Sequence, residues 1–342
     1  MEAFNWEAAM RLHAMAAVSA IGLTLSILAV HPRAQSSAAV VDNYIAAAKT
    51  AAGQEHLGLF NAACAPTSIR PAPAPARGTA SAAAPAQRTS PERSTWHAEP
   101  AKVFDNLYFL GQTEYSVWAV TTSAGIILID TIYDYSVEDE VVGGMKKLGL
   151  DPTLIKYIIV SHGHADHSGG ARFLQDTFKP RLILSAADWD LLDRNTPEER
   201  RPKRDMVATD GMKLALGDTT LTLYLTPGHT AGTISTLIPV KDNGVPHLVA
   251  EWGGTMFNFT RTRDAFDTYI SSAERFEGIA SRAGADVIIS NHTIYDGTKT
   301  KIPALAQRKA GDRNPYVIGN DAVKRYLAVA RNCAHAAQVA MN

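Results

Sequence analysis

The most diagnostic run in this 342-residue chain is Ser161-His162-Gly163-His164-Ala165-Asp166-His167. The residues before it, 154–160, are mostly apolar, which is typical of a buried strand. Three imidazoles and a carboxylate packed this closely repel and desolvate one another unless a positive charge holds them. A divalent cation meets that need, since neutral imidazole and carboxylate are usual zinc ligands. The run therefore predicts a metal site at the end of a strand.

The four ligand groups of this run do not all face one ion, because neighbouring residues 166 and 167 point away from 162 and 164. A turn after the strand aims the two pairs at two sites. Two more histidines follow predicted strands: His229 in Thr226-Pro227-Gly228-His229-Thr230, and His292 in Ser290-Asn291-His292-Thr293. Each strand end thus brings one imidazole to the same edge of the sheets. The remaining histidines lack this context and are left out of the site: His13, His31, His56, His97, His247 and His335.

The order His162-x-His164-x-Asp166-His167, then His229, then His292 resembles the metallo-β-lactamase superfamily of binuclear metallohydrolases. The resemblance covers roughly residues 100–300. It implies an α+β fold, the four-layer αββα sandwich, and two Zn²⁺ ions per chain. It places His162, His164 and His229 on one zinc, and Asp166, His167 and His292 on the other. The histidine-rich second site is most similar to the lactamase subclass that has no cysteine zinc ligand.

The resemblance also implies a reaction. Two zinc ions about 3.5–4 Å apart share a water and lower its pKa to about 7, which supplies a hydroxide that attacks a carbonyl carbon. Asp166 is a catalytic candidate, because it orients this nucleophile and accepts its proton while ligating. Asp130, at the end of the predicted strand 125–129, is expected to hydrogen-bond a ligand from behind. Weaker candidates for the same role flank the ligands: Ser161, Thr230 and Asn291.

One segment departs from the family pattern. Many hydrolases of the superfamily that are not lactamases place an aspartate that bridges both metals after the strand beyond His229. This chain has Ala250-Glu251-Trp252-Gly253-Gly254 there. Glu251 is a second catalytic candidate with three interpretations: a longer bridging ligand, a base behind the metals, or a carboxylate at a strand end. Nearby aromatic residues are assigned to the core rather than to a substrate pocket: Trp252, Phe257 and Tyr295.

The composition narrows the choice of partner. With 342 residues, of which 46% are hydrophobic and 20% charged, the chain is long enough for one large domain with extensions. The formal net charge is -1, so no basic field is available to hold nucleic acid or an anionic membrane. The charged run 198–204 is interpreted as a solvated loop near the mouth of the site. The expected partner is a small-molecule substrate.

Five segments are predicted along the chain. Residues 1–34 form a signal peptide, since 14–30 is an uncharged apolar run followed by small residues. A membrane anchor is the alternative, because the run is near the lower length limit for spanning. Signal cleavage predicts a periplasmic or secreted protein with no stable membrane insertion. The other segments are a helical segment over 35–64, an Ala/Pro-rich linker over 65–98, the metallo-hydrolase domain over 99–302 and its C-terminal helical extension over 303–342.

The chain has two cysteines, Cys64 and Cys333. Neither is near the histidine run, so neither is expected to bind zinc. In an oxidising compartment such a pair suggests a disulfide, which ties the segment before the linker to the C-terminal helix. Two buried free thiols are the alternative.

From about residue 100, short apolar runs alternate with helical stretches, which predicts two packed sheets with helices outside. A helix is predicted over 137–148, with Ser136 and Asp139 as its capping pair. Strands are predicted at 108–110, 116–120, 125–129, 154–160, 181–184, 221–225, 234–238, 247–250 and 287–289, and further helices at 170–177, at 265–283 and from 321 onward.

Four functions fit this pattern. The first is an exported zinc hydrolase that opens a cyclic amide, as a β-lactamase does. The second is a lactonase or a hydrolytic dehalogenase acting on a xenobiotic, raised by the departure at Glu251. The third is an iron-dependent redox enzyme, disfavoured because the ligand set is complete and the chain has no flavin domain. The fourth is a non-catalytic zinc protein, disfavoured because a structural zinc site closes with four protein ligands.

Overall fold

The structure is a computed structural model that describes residues 36–71 and 90–341. The predicted signal peptide over 1–34 lies outside these residues, and so does the middle of the predicted linker. None of the helices within the described ranges is both long enough and apolar enough to cross a membrane.

The first sheet forms half of the centre of the fold. Across it the strands follow chain order, antiparallel up to the fourth strand and parallel from the fourth to the seventh. Its strands within the described residues are β1 Ala101–Phe104, β2 Leu107–Phe109, β3 Trp118–Thr122, β4 Gly125–Ile129, β5 Ile155–Ile159, β6 Arg181–Ser185 and β7 Met206–Ala208.

The second sheet packs against the first. Its strands, in the part of the chain described, are β8 Met212–Leu216, β9 Thr219–Leu225, β10 Ile234–Asp242, β11 Val245–Trp252 and β12 Val287–Ser290. They lie in the order β12-β11-β10-β9-β8, and the pair β11–β12 is parallel while the others are antiparallel. In each sheet the parallel strands end at the same edge, and the loops that follow them can carry ligands there.

Helices cover the outer faces of both sheets. The longest has a typical start and end: Thr262 accepts a hydrogen bond from the Ala265 amide at 3.1 Å, and Gly284 ends the helix at φ 78°. In the described ranges the α-helices are α1 Ser37–Ala52, α2 Leu57–Ala63, α3 Pro66–Ile69, α4 Gly144–Lys147, α5 Ala165–Ser168, α6 Ala171–Phe178, α7 Ala186–Asn195, α8 Arg263–Ala283, α9 Thr298–Ala306 and α10 Asn320–Val339.

The alternation of side chains along the strands creates the layers. Successive residues of a strand point to opposite faces, so Ile127 and Ile129 pack between the sheets while Leu128 packs under the helices of the first sheet. In the second sheet Val249 faces the other sheet, and Trp252 faces α8 and α10. The four-layer αββα sandwich predicted from the sequence is confirmed.

The predicted linker is shorter than 65–98, because both of its ends are folded. After α2, the helix α3 is held by Arg261, whose guanidinium donates to the carbonyls of Ser68 and Ile69 at 2.9 Å. At the other end the amide of Ala98 donates to buried Glu140 at 3.1 Å. Backbone groups at both ends of the predicted linker are thus hydrogen-bonded to the packed domain.

The C-terminal extension is likewise part of the same packed unit. The predicted boundary at 302/303 lies inside α9, and α10 packs on both α8 and α1. Cys64, just after α2, forms a disulfide with Cys333 on α10, with their Cα atoms 5.0 Å apart. The N-terminal helices are therefore fastened to the helical layer outside the second sheet.

The helix predicted over 137–148 has a different start from the expected one. Residues Glu138–Gly143 form a π-helical stretch that continues into α4. Ser136 does not cap it, because the Ser136 hydroxyl donates instead to the Tyr133 carbonyl at 3.2 Å. The predicted capping pair of Ser136 and Asp139 is wrong, since wide π turns displace the amides that a capping oxygen would accept from.

Candidate metal centre

Three segments, each following a strand, carry the predicted ligands to one edge of the sandwich. The loop after β5 holds His162 and His164, and α5 directly follows with Asp166 and His167. The other two ligands come later in the chain, His229 after β9 and His292 after β12. Within the described residues these six side chains form two groups of three, and the ligand atoms of each group lie within 4.8 Å of one another.

In the first group, three imidazole nitrogens converge. Nε2 of His229 lies 3.0 Å from Nε2 of His162 and 3.1 Å from Nδ1 of His164. Donors that share one zinc tetrahedrally at 2.0–2.1 Å lie about 3.3 Å apart. The observed spacing is close to that value, so the donor set fits a zinc ion.

The backs of two of these rings are held by backbone carbonyls. Nδ1 of His162 donates to the Gly253 carbonyl at 2.9 Å, and Nδ1 of His229 donates to the Met256 carbonyl at 2.6 Å. A proton on Nδ1 leaves a lone pair on Nε2, which is the atom that faces the group. The carbonyls therefore select the tautomer that a metal requires.

In the second group a carboxylate faces two imidazoles. Oδ2 of Asp166 lies 3.2 Å from Nε2 of His167 and 3.7 Å from Nε2 of His292. Nδ1 of His167 donates to Oδ2 of Asp130 at 2.9 Å. Nε2 of His167 is buried and has no hydrogen-bond partner. A buried nitrogen of this kind needs a partner, and a cation held between the three side chains would supply one.

Burial keeps most of these imidazoles neutral. It holds the pKa of His162 well below its usual range and lowers the pKa of His229 to about 4 and that of His292 to about 3. Neutral imidazole is the ligating form. Burial also lowers the pKa of His167, but the carboxylates of Asp166 and Asp130 outweigh it and raise that pKa to about 10. Around His167, unlike around these other imidazoles, the nearby carboxylates thus prevail over burial and favour a positive charge.

Asp130 ties together the two ends of the ligand run 161–167. Its oxygens accept from the Ser161 amide at 2.7 Å, from the Ser161 hydroxyl at 2.9 Å and from His167. Asp130 and Ile132 have positive φ, 66° and 51°, which is strained for a β-branched residue such as Ile132. The strained segment also receives the amide of Gly170 at the Ile132 carbonyl, 2.9 Å away. The strained backbone at Asp130 and Ile132 thus holds the turn that bears Asp166 and His167 in place.

Glu251 lies in neither ligand group. It is on β11, on the same face as Val249, so it points between the two sheets. Its side chain is fully buried, and neither carboxyl oxygen has a hydrogen-bond partner. Burial and the nearby Asp130 raise the pKa of Glu251 well above its usual range. The interpretation of Glu251 as a bridging ligand does not fit this position, and a neutral buried acid is a poor general base.

The glycines that follow Glu251 are required by the ligand loops. A Cβ added to Gly254 would lie 2.6 Å from the Cβ of His229, and one added to Gly253 would lie 1.8 Å from the Ile234 carbonyl oxygen. Both distances are shorter than packed atoms tolerate. Gly254 thus leaves room for His229, and Gly253 supplies the carbonyl that accepts a hydrogen bond from His162.

The weaker candidates hold the ligand loops together rather than entering the ligand groups. Asn291 donates to the Gly253 carbonyl at 2.7 Å and to the Ser161 hydroxyl at 3.1 Å. The Thr230 hydroxyl donates to Asp188 at 2.8 Å. The aromatic residues assigned to the core are in the core, since Trp252, Phe257 and Tyr295 are all buried.

Sequence reasoning missed Asp188, which joins the two loops of the first group. Its carboxylate accepts from the Gly163 amide at 2.8 Å and from the Gly232 amide at 3.1 Å, in addition to Thr230. Asp188 lies in the first turn of α7, 22 residues beyond Asp166, in a stretch that reads as an ordinary helix start. No local pattern marks it, because its partners come from distant loops.

A cavity of about 870 Å³ opens beside the turn that carries Asp166 and His167. Ala165, Ser168 and Gly169 of this turn form one wall, and Tyr115, half-buried, is part of the lining. The ring centroid of Tyr115 lies 5.1 Å from that of His292. The cavity therefore adjoins the second ligand group and has the size of a small-molecule site.

Comparison with known proteins agrees with this geometry. Residues 110–242 match the family model of the metallo-beta-lactamase superfamily. The chain is similar to BJP-1, a subclass B3 metallo-beta-lactamase of Bradyrhizobium japonicum, with 27% sequence identity and a TM-score of 0.57 over 67% of this chain and 89% of that one. It is also similar to a metallo-beta-lactamase of Cronobacter sakazakii, with 26% identity and a TM-score of 0.58 over 68% of this chain and 92% of that one.

Similarity to curated sequences is more local. A hydroxyacylglutathione hydrolase of Mesorhizobium japonicum is 31% identical over 110 residues, which are 32% of this chain and 38% of that protein. An N-acyl homoserine lactonase of a Bacillus species is 31% identical over 126 residues, 36% of this chain and 48% of that protein. The chain spans less than half the length of either relative, so these matches describe a shared part of the domain.

Proposed function

Since residues 110–242 carry a domain of the metallo-β-lactamase superfamily, we propose that this protein is a zinc-dependent hydrolase that opens cyclic amides, as β-lactamases do. The observation that carries the proposal is the complete pair of three-residue ligand groups, without any bridging carboxylate in the described part of the chain. The similarity to two metallo-beta-lactamases along most of their length, one of them of subclass B3, supports the same assignment.

The main alternative is lactone hydrolysis. It is favoured by the local similarity to an N-acyl homoserine lactonase. Against it stands Glu251, the one carboxylate in the position where a bridging ligand was expected, because its side chain is buried between the sheets and shares no ligand group. Amide opening is therefore the first substrate class to test and lactone opening the second.

The chemistry divides between the metals and the side chains that hold them. Bound divalent cations lower the pKa of a water and polarise a carbonyl. His162, His164 and His229 would hold one such ion, and Asp166, His167 and His292 the other. Asp166 is only partly buried, so its carboxylate can reach solvent and would orient a water and accept its proton. Asp130 keeps the His167 proton on Nδ1, which leaves Nε2 for the metal.

A substrate screen on metal-quantified protein tests this proposal. Purified protein with two zinc ions per chain should turn over nitrocefin or a carbapenem, and faster than N-acyl homoserine lactones or thioesters. Asp166→Asn should lower turnover at least about 100-fold, because the variant loses a metal ligand and a proton acceptor. The matched control is Asp176→Asn, an exposed carboxylate paired with Arg172, which should leave turnover unchanged.

The outcomes of this screen separate the hypotheses. Lactone turnover without β-lactam turnover would select the alternative function. Iron in place of zinc in the active protein would point to redox chemistry. Full turnover in metal-stripped protein would overturn the proposal altogether.

We also propose that the protein is exported to the periplasm or beyond. The apolar run over 14–30 supports this, and so does the Cys64–Cys333 disulfide, because such bonds persist in oxidising compartments. N-terminal sequencing of the protein recovered from a periplasmic extract checks it. A mature chain that begins near residues 34–38 is expected, and recovery from the cytoplasm with an intact N-terminus would contradict export.

A further inference from the structure

A row of aromatic rings leads away from the second ligand group. Tyr115 packs edge-on against His292 and, at a centroid distance of 5.3 Å, against Tyr133. Tyr133 stacks on Tyr135 at 5.2 Å with the ring planes 15° apart. Tyr135 in turn meets Trp96 at 5.7 Å. Each step is therefore between neighbouring rings, and the row begins at a metal ligand.

The three tyrosines of this row line the cavity and are only partly buried. Trp252 and Phe276, which also pack against each other, are by contrast fully buried in the core. Exposed ring surface in a concave site is the usual setting for a flat ligand, because rings offer large apolar area with little loss of side-chain freedom. The row is thus suited to an aromatic group.

One positive charge faces the same cavity. Of the described residues that line it, Arg200 and Asp134 are the charged ones. They form an ion pair at 3.6 Å, with side chains 57% and 46% exposed. A pair this exposed is weak, so the guanidinium is free to exchange Asp134 for an anion on a ligand. An arginine fork suits a carboxylate especially well.

Two neighbouring arginines of the same run are engaged elsewhere. The Arg201 guanidinium donates to the Thr196 carbonyl at 2.8 and 3.1 Å. Arg204 pairs with Asp190 at 2.7 Å and is not part of the cavity lining. The charged run 198–204, predicted as a solvated loop, therefore directs one of its arginines to the cavity.

We infer that this cavity is the subsite for the non-reacting part of the substrate, and that the substrate is an aromatic compound with an anionic group. The flat group lies against Tyr115, Tyr133 and Tyr135, and the anion is bound by Arg200. The inference rests on the proposed function, because it assigns the remainder of the substrate whose carbonyl is opened at the metal centre.

Binding measurements test the subsite without requiring turnover. The probes are 4-biphenylacetate and its neutral analogue 4-biphenylacetamide, titrated calorimetrically into the metal-loaded full chain. The acid should bind at least about fivefold more tightly than the amide, through its charge-assisted contact with Arg200. In Arg200→Gln the preference should fall below about twofold. In Arg204→Gln, the matched arginine outside the cavity, it should be unchanged.

The aromatic part of the subsite has its own variant. Tyr135→Leu should weaken the acid and the amide alike, by about fivefold, since it removes ring contacts common to both probes. Tyr108→Leu, a half-buried tyrosine on β2 outside the cavity lining, is the control. Thermal unfolding of each variant shows that it is folded.

A carboxylate can also bind at the metals, and the same titrations detect this. If the preference for the acid persists in Arg200→Gln and disappears in metal-stripped protein, the anion binds at the metal centre and the inference is overturned. Binding of neither probe to the parent protein overturns it as well. Failure of the proposed function is a separate result: turnover would be absent while the Arg200-dependent preference remained.

Discussion

At the residue scale, the orientation of His167 depends on Asp130. The carboxylate accepts three hydrogen bonds, from the amide and hydroxyl of Ser161 and from Nδ1 of His167, and it donates none. An amide in its place has one oxygen and one donor group. Whichever way the amide is turned, its NH₂ must face either the Ser161 amide or Nδ1–H of His167.

Asp130→Asn should therefore weaken metal binding at the second group. We expect the affinity for the second zinc to fall by about 10–100-fold, because His167 loses the partner that fixes its tautomer. Asparagine tolerates the positive φ of this position as well as aspartate does, so the backbone is not a confounding factor. Zinc release to a chromophoric chelator measures the effect. Asp139→Asn, at an exposed carboxylate 3.6 Å from Arg93, is the control, and equal affinity in both variants would contradict the role of Asp130.

For Glu251, unlike Asp130, we expect that replacing the carboxyl group with an amide leaves the metal centre intact. Burial raises its pKa well above the usual range, which favours the neutral form of the side chain, and Glu251→Gln replaces that form with one of similar shape. An acid with a raised pKa costs stability as the pH rises above its unfolded value near 4.5. The variant should thus keep its zinc content, and its turnover should stay within about twofold of the parent's. The unfolding free energy of the variant should exceed that of the parent by a margin that grows from pH 5 to pH 8. A loss of turnover of 100-fold or more would restore Glu251 as a catalytic base.

At the scale of elements, the N-terminal helices pack on α10 through a buried histidine. Nε2 of His56 donates to the Ala322 carbonyl at 2.8 Å, and the ring meets Tyr326 edge-on at 5.3 Å. Burial lowers the pKa of His56 to about 4 from the usual 6.5. The unfolded chain therefore takes up a proton more readily than the folded one. This contribution to stability is complete above pH 6.5 and is lost as the pH falls toward 4.

His56→Gln should reduce the acid sensitivity of the fold. Glutamine can still donate to the Ala322 carbonyl, but it does not titrate. Between pH 7 and pH 4 the parent should lose about 3 kcal/mol more unfolding free energy than the variant. Denaturant titrations of metal-free protein at several pH values measure this difference. Parallel pH profiles for the two proteins would show that His56 does not contribute.

At the scale of the whole molecule, the Cys64–Cys333 disulfide links residues 269 positions apart. It closes a loop that contains most of the domain, and cross-links over long loops remove the most entropy from the unfolded chain. Replacing both cysteines with alanine should lower the unfolding free energy by about 3–5 kcal/mol. Denaturant unfolding of the parent and of the variant gives the value. A reductant should destabilise the parent and leave the variant unchanged, and equal stability of the two proteins would contradict the prediction.

The candidate ligand residues and the positions of most strands were predictable from local sequence signals, and the fold class followed from the family resemblance that the histidine run carries. Alternating apolar residues mark strands such as β9, and the dense run at His162–His167 marks a charge-balanced turn after a strand. The sequence positions of His229 and His292, each directly after a strand, likewise indicated where they would lie. His162 and His164 follow a strand of the first sheet, whereas His229 and His292 follow strands of the second, so the packing of the two sheets is also needed to bring the two sets together.

The tertiary structure decided what those local signals do not contain. Asp188 and the Gly253 carbonyl reach the ligand loops from segments far away in the chain, so nothing in their neighbours marks them. Glu251 reads as a strand-end carboxylate in sequence, and only the pairing of two sheets buries it away from the ligands. Tyr133 and Arg200 come from separate loops that packing brings to one cavity. Local chemistry thus set which atoms can hold metal, whereas long-range packing set their protonation, their rigidity and the space left for a substrate.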